Sequence, residues 1–272
     1  MDNYTISDHD FKLFADLVYN KTGINLYDGN KKQLLQSRVN KVLRKREIPT
    51  YRDYYDIIAK DTSGDELTDF ISLISTNVTH FFREAKHFDF MKQVWFPNFP
   101  LKHSESIKIW CAASSSGQEP YCLSMTMYDL VADKYKYDIL ATDISEKVLK
   151  QARKAVYANK DIEGLDHTIL QKYFQKGSGK AEGYVKIKPH ITRSVHFDIL
   201  NLIEDFTHPY NYDLVFCRNV MIYFDLPTKE KIVNRIYQYM NKGAYFMIGH
   251  SESLNGLKHS FQYVQPATYR KV

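Results

Sequence analysis

Five stretches of the chain place polar or charged side chains directly after a short apolar run. IKIWCAA leads into SSSGQE at 114–119, and YDILAT ends on Asp143. FDILNL carries Asp198 and Asn201, YDLVFC is followed by RNVMIYFD, and AYFMIG is followed by HSESL. Apolar runs of this length bounded by turn residues read as buried strands, and ligands of an open parallel sheet bind beyond the carboxyl ends of such strands. The first junction is where a dinucleotide-binding chain carries G-x-G-x-x-G, yet only Gly117 is present. A pyrophosphate needs a glycine loop so that several backbone N–H groups approach it closely. The loop therefore lacks what a phosphate-bearing ligand requires.

A nucleoside without phosphates fits better. Ala112, Ala113 and the three serines still let a ligand pass close to the backbone. An acid ending the second strand accepts hydrogen bonds from ribose hydroxyls, and Asp143 follows Gly117 at about the spacing of that fingerprint. Glu119 answers an ammonium or sulfonium charge. Acids at both strand ends with few glycines favour S-adenosylmethionine over a dinucleotide. Each residue also has a plainer reading. Asp143 or Ser145 caps the helix SEKVLKQAR, and Glu119 complements the dipole of its own helix. STNVTHFFRE (75–84) brings Asn77, Thr79 and Arg83 towards the crevice, or is a helix cap followed by core phenylalanines.

The elements that must position these groups follow from periodicity. Residues 1–90 read as helical, with stripes at Phe11, Phe14, Leu17 and Val18, at Leu35, Val39 and Val42, at Tyr51, Tyr54, Tyr55 and Ile58, and at Leu67, Phe70, Ile71 and Ile74. From residue 105 strands alternate with helices, the pattern of a parallel sheet covered on both faces. FQYVQPATYRKV ends the chain as two short strands, an antiparallel hairpin at the sheet edge. The alternation is interrupted between Asn159 and His196 by short strands around a glycine-rich turn. The expected organisation is thus a helical domain over 1–90 and an α/β domain over 91–272, with a β-insert at about 172–197.

Composition sets the class. The 272 residues are 44% hydrophobic and 25% charged with a net charge of +5, ordinary for a soluble globular chain. No apolar run approaches the length of a membrane span, and from the acidic start MDNYTISDHD no signal peptide is expected. Cys111, Cys122 and Cys217 lack C-x-x-C spacing and clustered histidines, so neither a metal site nor a disulfide framework is expected, and a reducing cytoplasm is.

Taken together, TNVTHFFRE, SSSGQEPYCLSM, ILATDISEKVL, FDILNL, CRNVMIYFD and GHSES resemble one family, the bacterial chemotaxis receptor methyltransferases, CheR. CRNVMIYFD and TNVTHFFRE are highly specific, and the matches run in order over nearly the whole chain. The resemblance implies a Rossmann-like methyltransferase sheet with a helical N-terminal domain and a small inserted antiparallel β-subdomain. It implies that S-adenosylmethionine, and its product S-adenosylhomocysteine, are held by Asn77, Thr79, Arg83, Glu119, Asp143, Asn201, Leu202, Arg218 and Asn219. The family loop usually has two acids before the proline. Here Gln118 replaces the first, and Cys122 stands where a serine is expected.

The implied reaction is methyl transfer to glutamate side chains of membrane chemotaxis receptors. A carboxylate is already an anion at neutral pH and needs no general base, so orientation carries the catalysis. Arg83 and Tyr223 are the candidates to orient the acceptor. Around the helix of 31–47, Arg38, Lys41, Arg44 and Lys45 project within one third of the circumference, opposite Leu35, Val39 and Val42. That face is either a solvated charged surface or a dock for acidic receptor helices. It lacks the interleaved aromatics of a nucleic-acid surface, so neither nucleic acid nor membrane insertion is expected, and the chain is expected to act as a monomer. In some family members the β-insert holds a short receptor peptide. GYVKIKP (183–189) and HITRSVHF (190–197) read as adjacent strands with an available edge, carrying Lys186 and Lys188. The alternative to the enzyme is a non-catalytic sensor or adaptor that only binds the nucleoside.

Overall fold

The computed structural model describes residues 5–27, 30–74, 79–100, 106–131 and 134–272. Four helices open the chain, α1 (Asp8–Thr22), α2 (Lys31–Arg46), α3 (Tyr51–Lys60) and α4 (Asp65–Ile74). Local chemistry sets their ends. The Ser7 hydroxyl accepts from the Asp10 N–H to cap α1, Gly23 closes it in the left-handed region, and Thr50 caps α3 through the Asp53 N–H. The four apolar stripes face inward. Phe14, Val18, Leu35, Val39, Tyr54 and Phe70 are buried in one cluster that continues into Trp110, Val215 and Phe246 of the sheet. The helical unit is thus fused to one face of the α/β unit through a common core.

The main sheet contains β1 (Ile107–Ala112), β2 (Tyr137–Asp143), β6 (Val195–Ile199), β7 (Tyr212–Cys217), β8 (Met240–Met247), β9 (Phe261–Gln265) and β10 (Thr268–Lys271). Their order is β6-β2-β1-β7-β8-β10-β9. The first five strands are parallel, and β10 and β9 form the expected antiparallel hairpin at one edge. The central strands are buried on both faces, which is why they read as unbroken apolar runs. From β1 the chain builds outward to β2 and β6, then returns to the other side with β7 and β8. The switch in winding direction therefore lies between β1 and β7, where an open α/β sheet leaves its crevice. Helices α6 (Gln118–Val131), α7 (Glu146–Lys154) and α10 (Leu226–Gln238) connect the parallel strands.

The structure moves two expected boundaries. Phe81, α5 (Lys86–Phe90), Met91 and Trp95 pack into the second core cluster with Ile107, Ile109 and Tyr121. Residues from about 80 onward therefore belong to the α/β unit, ahead of the expected break at 90. The inserted sheet also lies earlier than expected. It is built from β3 (Val156–Ala158), β4 (Phe174–Lys176) and β5 (Tyr184–Ile187) in the order β3-β5-β4, with α8 (His167–Tyr173) between β3 and β4. The helix of SEKVLKQAR ends at Lys154, where Ala155 takes a left-handed φ of 53° and releases the next residues as a strand. The pairing of 183–189 with 190–197 does not form. Pro189 starts the short turn α9 (Pro189–Thr192), and β6 then pairs in parallel with β2, from Ile139↔Val195 to Asp143↔Ile199. Proline lacks an N–H and fits the first position of a helical turn better than a ladder. The strand expected to offer a free edge, β5, is the middle strand and is paired on both sides.

Candidate functional site

A cleft of about 920 Å³, counting its open mouth, sits at the carboxyl ends of the parallel strands. Thr79 and Arg83 enter from the connector before α5, Glu119 follows β1, Asp143 ends β2, and Asn201 and Leu202 follow β6. Arg218, Asn219 and Tyr223 follow β7, and Thr22 and Ile24 reach in from the end of α1. Every site residue expected around the ligand thus lines one cleft, except Asn77, which lies outside the described residues.

The loop after β1 shows why one glycine suffices. The N–H of Ser114 donates to the Thr142 carbonyl at 2.8 Å and that of Gly117 to the Ser114 carbonyl at 3.1 Å. The N–H of Ser115 donates to Asp143 Oδ2 at 2.8 Å. Three backbone donors that would cradle a phosphate are turned to the loop's own structure. Gly117 is required for close approach. It sits at φ 95°, and a Cβ there would lie 2.8 Å from Ala152 Cβ and 2.9 Å from the Tyr157 hydroxyl.

Asp143 holds two loops together. Besides Ser115, its Oδ1 accepts from the Ser145 N–H at 3.0 Å, the turn that starts α7. The side chain is 9% exposed, and burial pushes its carboxyl above the ordinary aspartate value against the pull of those backbone donors. Each carboxylate oxygen has a second lone-pair site, so the turn role leaves capacity for ribose hydroxyls.

Glu119 is more than a first-turn acid. Arg218 Nη1 donates to its Oε2 at 2.5 Å, and Cys111 Sγ donates to its Oε1 at 3.2 Å. Arg218, with its side chain only 1% exposed, also donates through Nη2 to the Arg83 carbonyl at 2.7 Å and to Glu84 Oε2 at 2.9 Å. Burial alone would depress this guanidinium, but Glu119 and Glu84 hold it above its ordinary value. Burial likewise opposes ionisation of Glu84, yet Arg218, Asn219 and the His250 N–H bring its carboxyl down to about 2. One buried cation thereby ties the connector, the β1 loop and the β7 loop around the cleft. Glu84 and Phe82 both take left-handed backbone, and the Phe82 N–H donates to Cys122 Sγ at 3.0 Å. Cys122 thus has a defined acceptor role where a serine was expected.

Two residues of the site architecture escaped the sequence reading although their motifs were noted. Glu84 closes STNVTHFFRE, and Glu252 lies in HSESL, with its carboxylate accepting from backbone N–H groups of the β7 loop. Thr22 and Ile24 carried no signal, because only the packing of the helical unit on the sheet brings them near. Among the described residues Glu84, His87 and His250 form one group with ligand atoms within 4.8 Å of one another. Its carboxylate is already committed, with Oε2 accepting from Arg218 and the His250 N–H and Oε1 from Asn219. Burial holds His87 neutral, its pKa pushed down to about 3.

The expected basic face is partly reassigned. Arg38 Nη1 donates to the carbonyls of Leu73 and Ile74 at 2.8 and 2.7 Å, satisfying the last turn of α4. Lys41, Arg44 and Lys45 remain exposed on α2. The reason is packing: Arg38 adjoins the buried Val39 and reaches the end of α4, which the spacing within α2 alone does not reveal.

A parallel sheet switched between its first and fourth parallel strands, an acid ending the second and a loop unfit for phosphate define the class of nucleoside-dependent methyltransferases. Residues 77–270 match the family model described as CheR methyltransferase, SAM binding domain, and residues 9–75 match CheR methyltransferase, all-alpha domain. The chain belongs to the CheR family, and S-adenosylmethionine is the cofactor of its α/β domain. It is 36% identical to a chemotaxis protein methyltransferase of Borreliella burgdorferi, over 99% of this chain and 96% of that protein. It is 33% identical to the chemotaxis protein methyltransferase of Escherichia coli, over 94% of this chain and 88% of that one. Among solved structures, the plantazolicin methyltransferase BpumL in complex with SAH covers 79% of this chain and 61% of its own, at 13% identity and a TM-score of 0.39.

Proposed function

We propose that the chain transfers the methyl group of S-adenosylmethionine to glutamate side chains of membrane chemotaxis receptors, forming glutamyl methyl esters. The observation that carries this is the lining of the cleft. Among the described residues it contains no histidine, lysine or cysteine. The two acids that line it, Glu119 and Asp143, are already engaged by Arg218 and by backbone donors. A hydroxyl or amine acceptor needs a base to take its proton, whereas a glutamate arrives ionised at neutral pH. A carboxylate oxygen attacks the methyl carbon in line, the methyl–sulfur bond breaks with its electron pair on sulfur, and S-adenosylhomocysteine leaves. No proton moves.

In this reading Asp143 receives the ribose, Asn201 and Leu202 flank the adenine, and Glu119, held by Arg218, faces the donor's positive end. Asn77, Thr79, Arg83 and Asn219 complete the donor site. Arg83 and Tyr223 orient the incoming carboxylate. Holding reactants in line contributes effective molarities of about 10⁵–10⁸ M, enough for a step without acid–base chemistry. The exposed Lys41, Arg44 and Lys45 meet the acidic receptor helices, and the chain works as a monomer in the cytoplasm. No helix among the described residues is long and apolar enough to cross a membrane. Incubation with methyl-labelled donor and receptor cytoplasmic fragments tests the reading. Label released as methanol by mild base supports it. Donor binding without transfer would make the chain a sensor or adaptor instead.

A further inference from the structure

We propose that Glu252 is a positioning residue that sets both the donor and the acceptor side of the cleft through the backbone of the loop after β7. The proposal rests on the methyl-transfer reading above. Four backbone N–H groups converge on this one carboxylate. Oε2 accepts from Asn219 at 2.8 Å and from Gly249 at 2.6 Å. Oε1 accepts from Met221 at 2.7 Å and from Ile222 at 3.3 Å. Three donors belong to the loop after β7 and one to the loop after β8. Residues Met221–Tyr223 form a single 3-10 turn that no side chain of its own caps. Such a turn leaves its first N–H groups without internal partners. Glu252 supplies the cap from another loop.

The consequence reaches the reacting groups. Asn219 is held at φ 57°, a left-handed conformation that a non-glycine residue keeps only when its surroundings enforce it. At the other end of the turn, the Tyr223 carbonyl accepts from the Asn25 N–H at 2.8 Å, and Phe224 bridges to Ile24. The turn is thus clamped by Glu252 on one side and by the helical unit on the other, with Asn219 and Tyr223 both facing the cleft. Gly249 shows how tight the clamp is. A Cβ there would lie 2.5 Å from Asn219 Nδ2, 2.8 Å from Glu252 Oε2 and 3.0 Å from Asn219 N.

Glu252→Gln keeps the shape but turns an NH2 group towards one pair of N–H donors, so the turn must shift. A misplacement near 1 Å costs about 10²-fold in rate. The decisive measurement is kcat at saturating donor for the parent, Glu252→Gln, Tyr223→Phe and the double variant, with melting temperatures alongside. If Glu252 acts through the turn that carries Tyr223, the double variant is no slower than the slower single variant by more than about threefold. Losses that multiply, a Glu252→Gln enzyme with parental kcat, or a Tyr223→Phe enzyme as fast as the parent would each overturn the proposal. If Glu252→Gln does not fold, Gly249→Ala opens the same clamp while keeping the carboxylate, and its cycle with Tyr223→Phe is judged by the same criteria. Absence of transfer in the parent would instead refute the methyl-transfer reading itself.

Discussion

Replacing Arg218 by methionine removes the charge at the centre of the cleft and keeps most of the side-chain volume. Two carboxylates then lose their buried partner, because Arg218 meets Glu119 at 2.5 Å and Glu84 at 2.9 Å. The Glu84 side chain is 15% exposed, so screening by water is limited. Its carboxyl moves from 4.5 to about 2 on folding. At 1.36 kcal/mol per pKa unit that is about 3 kcal/mol at pH 7, within the 3–5 kcal/mol typical of breaking a buried pair. A folded-state pKa below the unfolded one gives stability that is complete above the unfolded value and lost as pH falls towards the folded value. The loss window therefore runs from about 4.5 down to about 2. Thermal unfolding of parent and variant at pH 7 should differ by about 6–12 °C, taking about 2–4 °C per kcal/mol for a chain of this size. At pH 3.5 the difference should shrink by at least about 40%, since Glu84 then binds protons in the unfolded chain of the parent and the stranded acids of the variant protonate. Equal melting temperatures at pH 7, or a gap that does not narrow in acid, would refute the view that Arg218 is held chiefly by its acids.

Asp143→Ala should weaken both S-adenosylmethionine and S-adenosylhomocysteine by about 1.5–3 kcal/mol, the value of hydrogen bonds to a charged acceptor, and calorimetry with unchanged affinity would remove it from the donor site. Reversing charge at Lys41 and Arg44 should slow receptor methylation, flatten its salt dependence and leave donor affinity intact; equal rates at low salt would exclude that face as the dock. The small sheet offers its edges at β3 and β4, so a receptor C-terminal peptide that adds as a strand should be blocked by proline at Val156 or Lys176, whose N–H groups face away from β5. Peptide titrations with no binding at millimolar concentration would rule out tethering here.

The parallel sheet, the helical unit and the terminal hairpin were legible because each is written as periodicity: apolar stripes at helical spacing, unbroken runs in strands buried on both faces, and Pro266 between two short strands. The insert was misread because β3, β4 and β5 are only three or four residues long. Runs that short carry no period, and Val156–Ala158 continues the helical pattern of the residues before it. Arg38 was misassigned for a related reason. Helical geometry says which residues share a face, but the partner of that face is settled by packing with α4.

The cleft itself was legible at the level of strand ends and illegible at the level of its supports. Asp143, Glu119 and Arg218 stand out because a polar residue ending an apolar run is locally conspicuous. Glu84 and Glu252 do not, because their partners are 134 and 33 residues away in sequence. Yet these two acids hold the loop after β7 from opposite sides. Glu84 binds the side chains of Arg218 and Asn219, while Glu252 binds the backbone of Asn219, Met221 and Ile222. Neither lines the cleft. The proposed reaction moves no proton and leaves little for a catalytic side chain to do beyond holding angles and distances, so its demands fall on the groups that hold the holders. Carboxylates suit that task, since each accepts several N–H donors at once and loses that capacity when replaced by an amide.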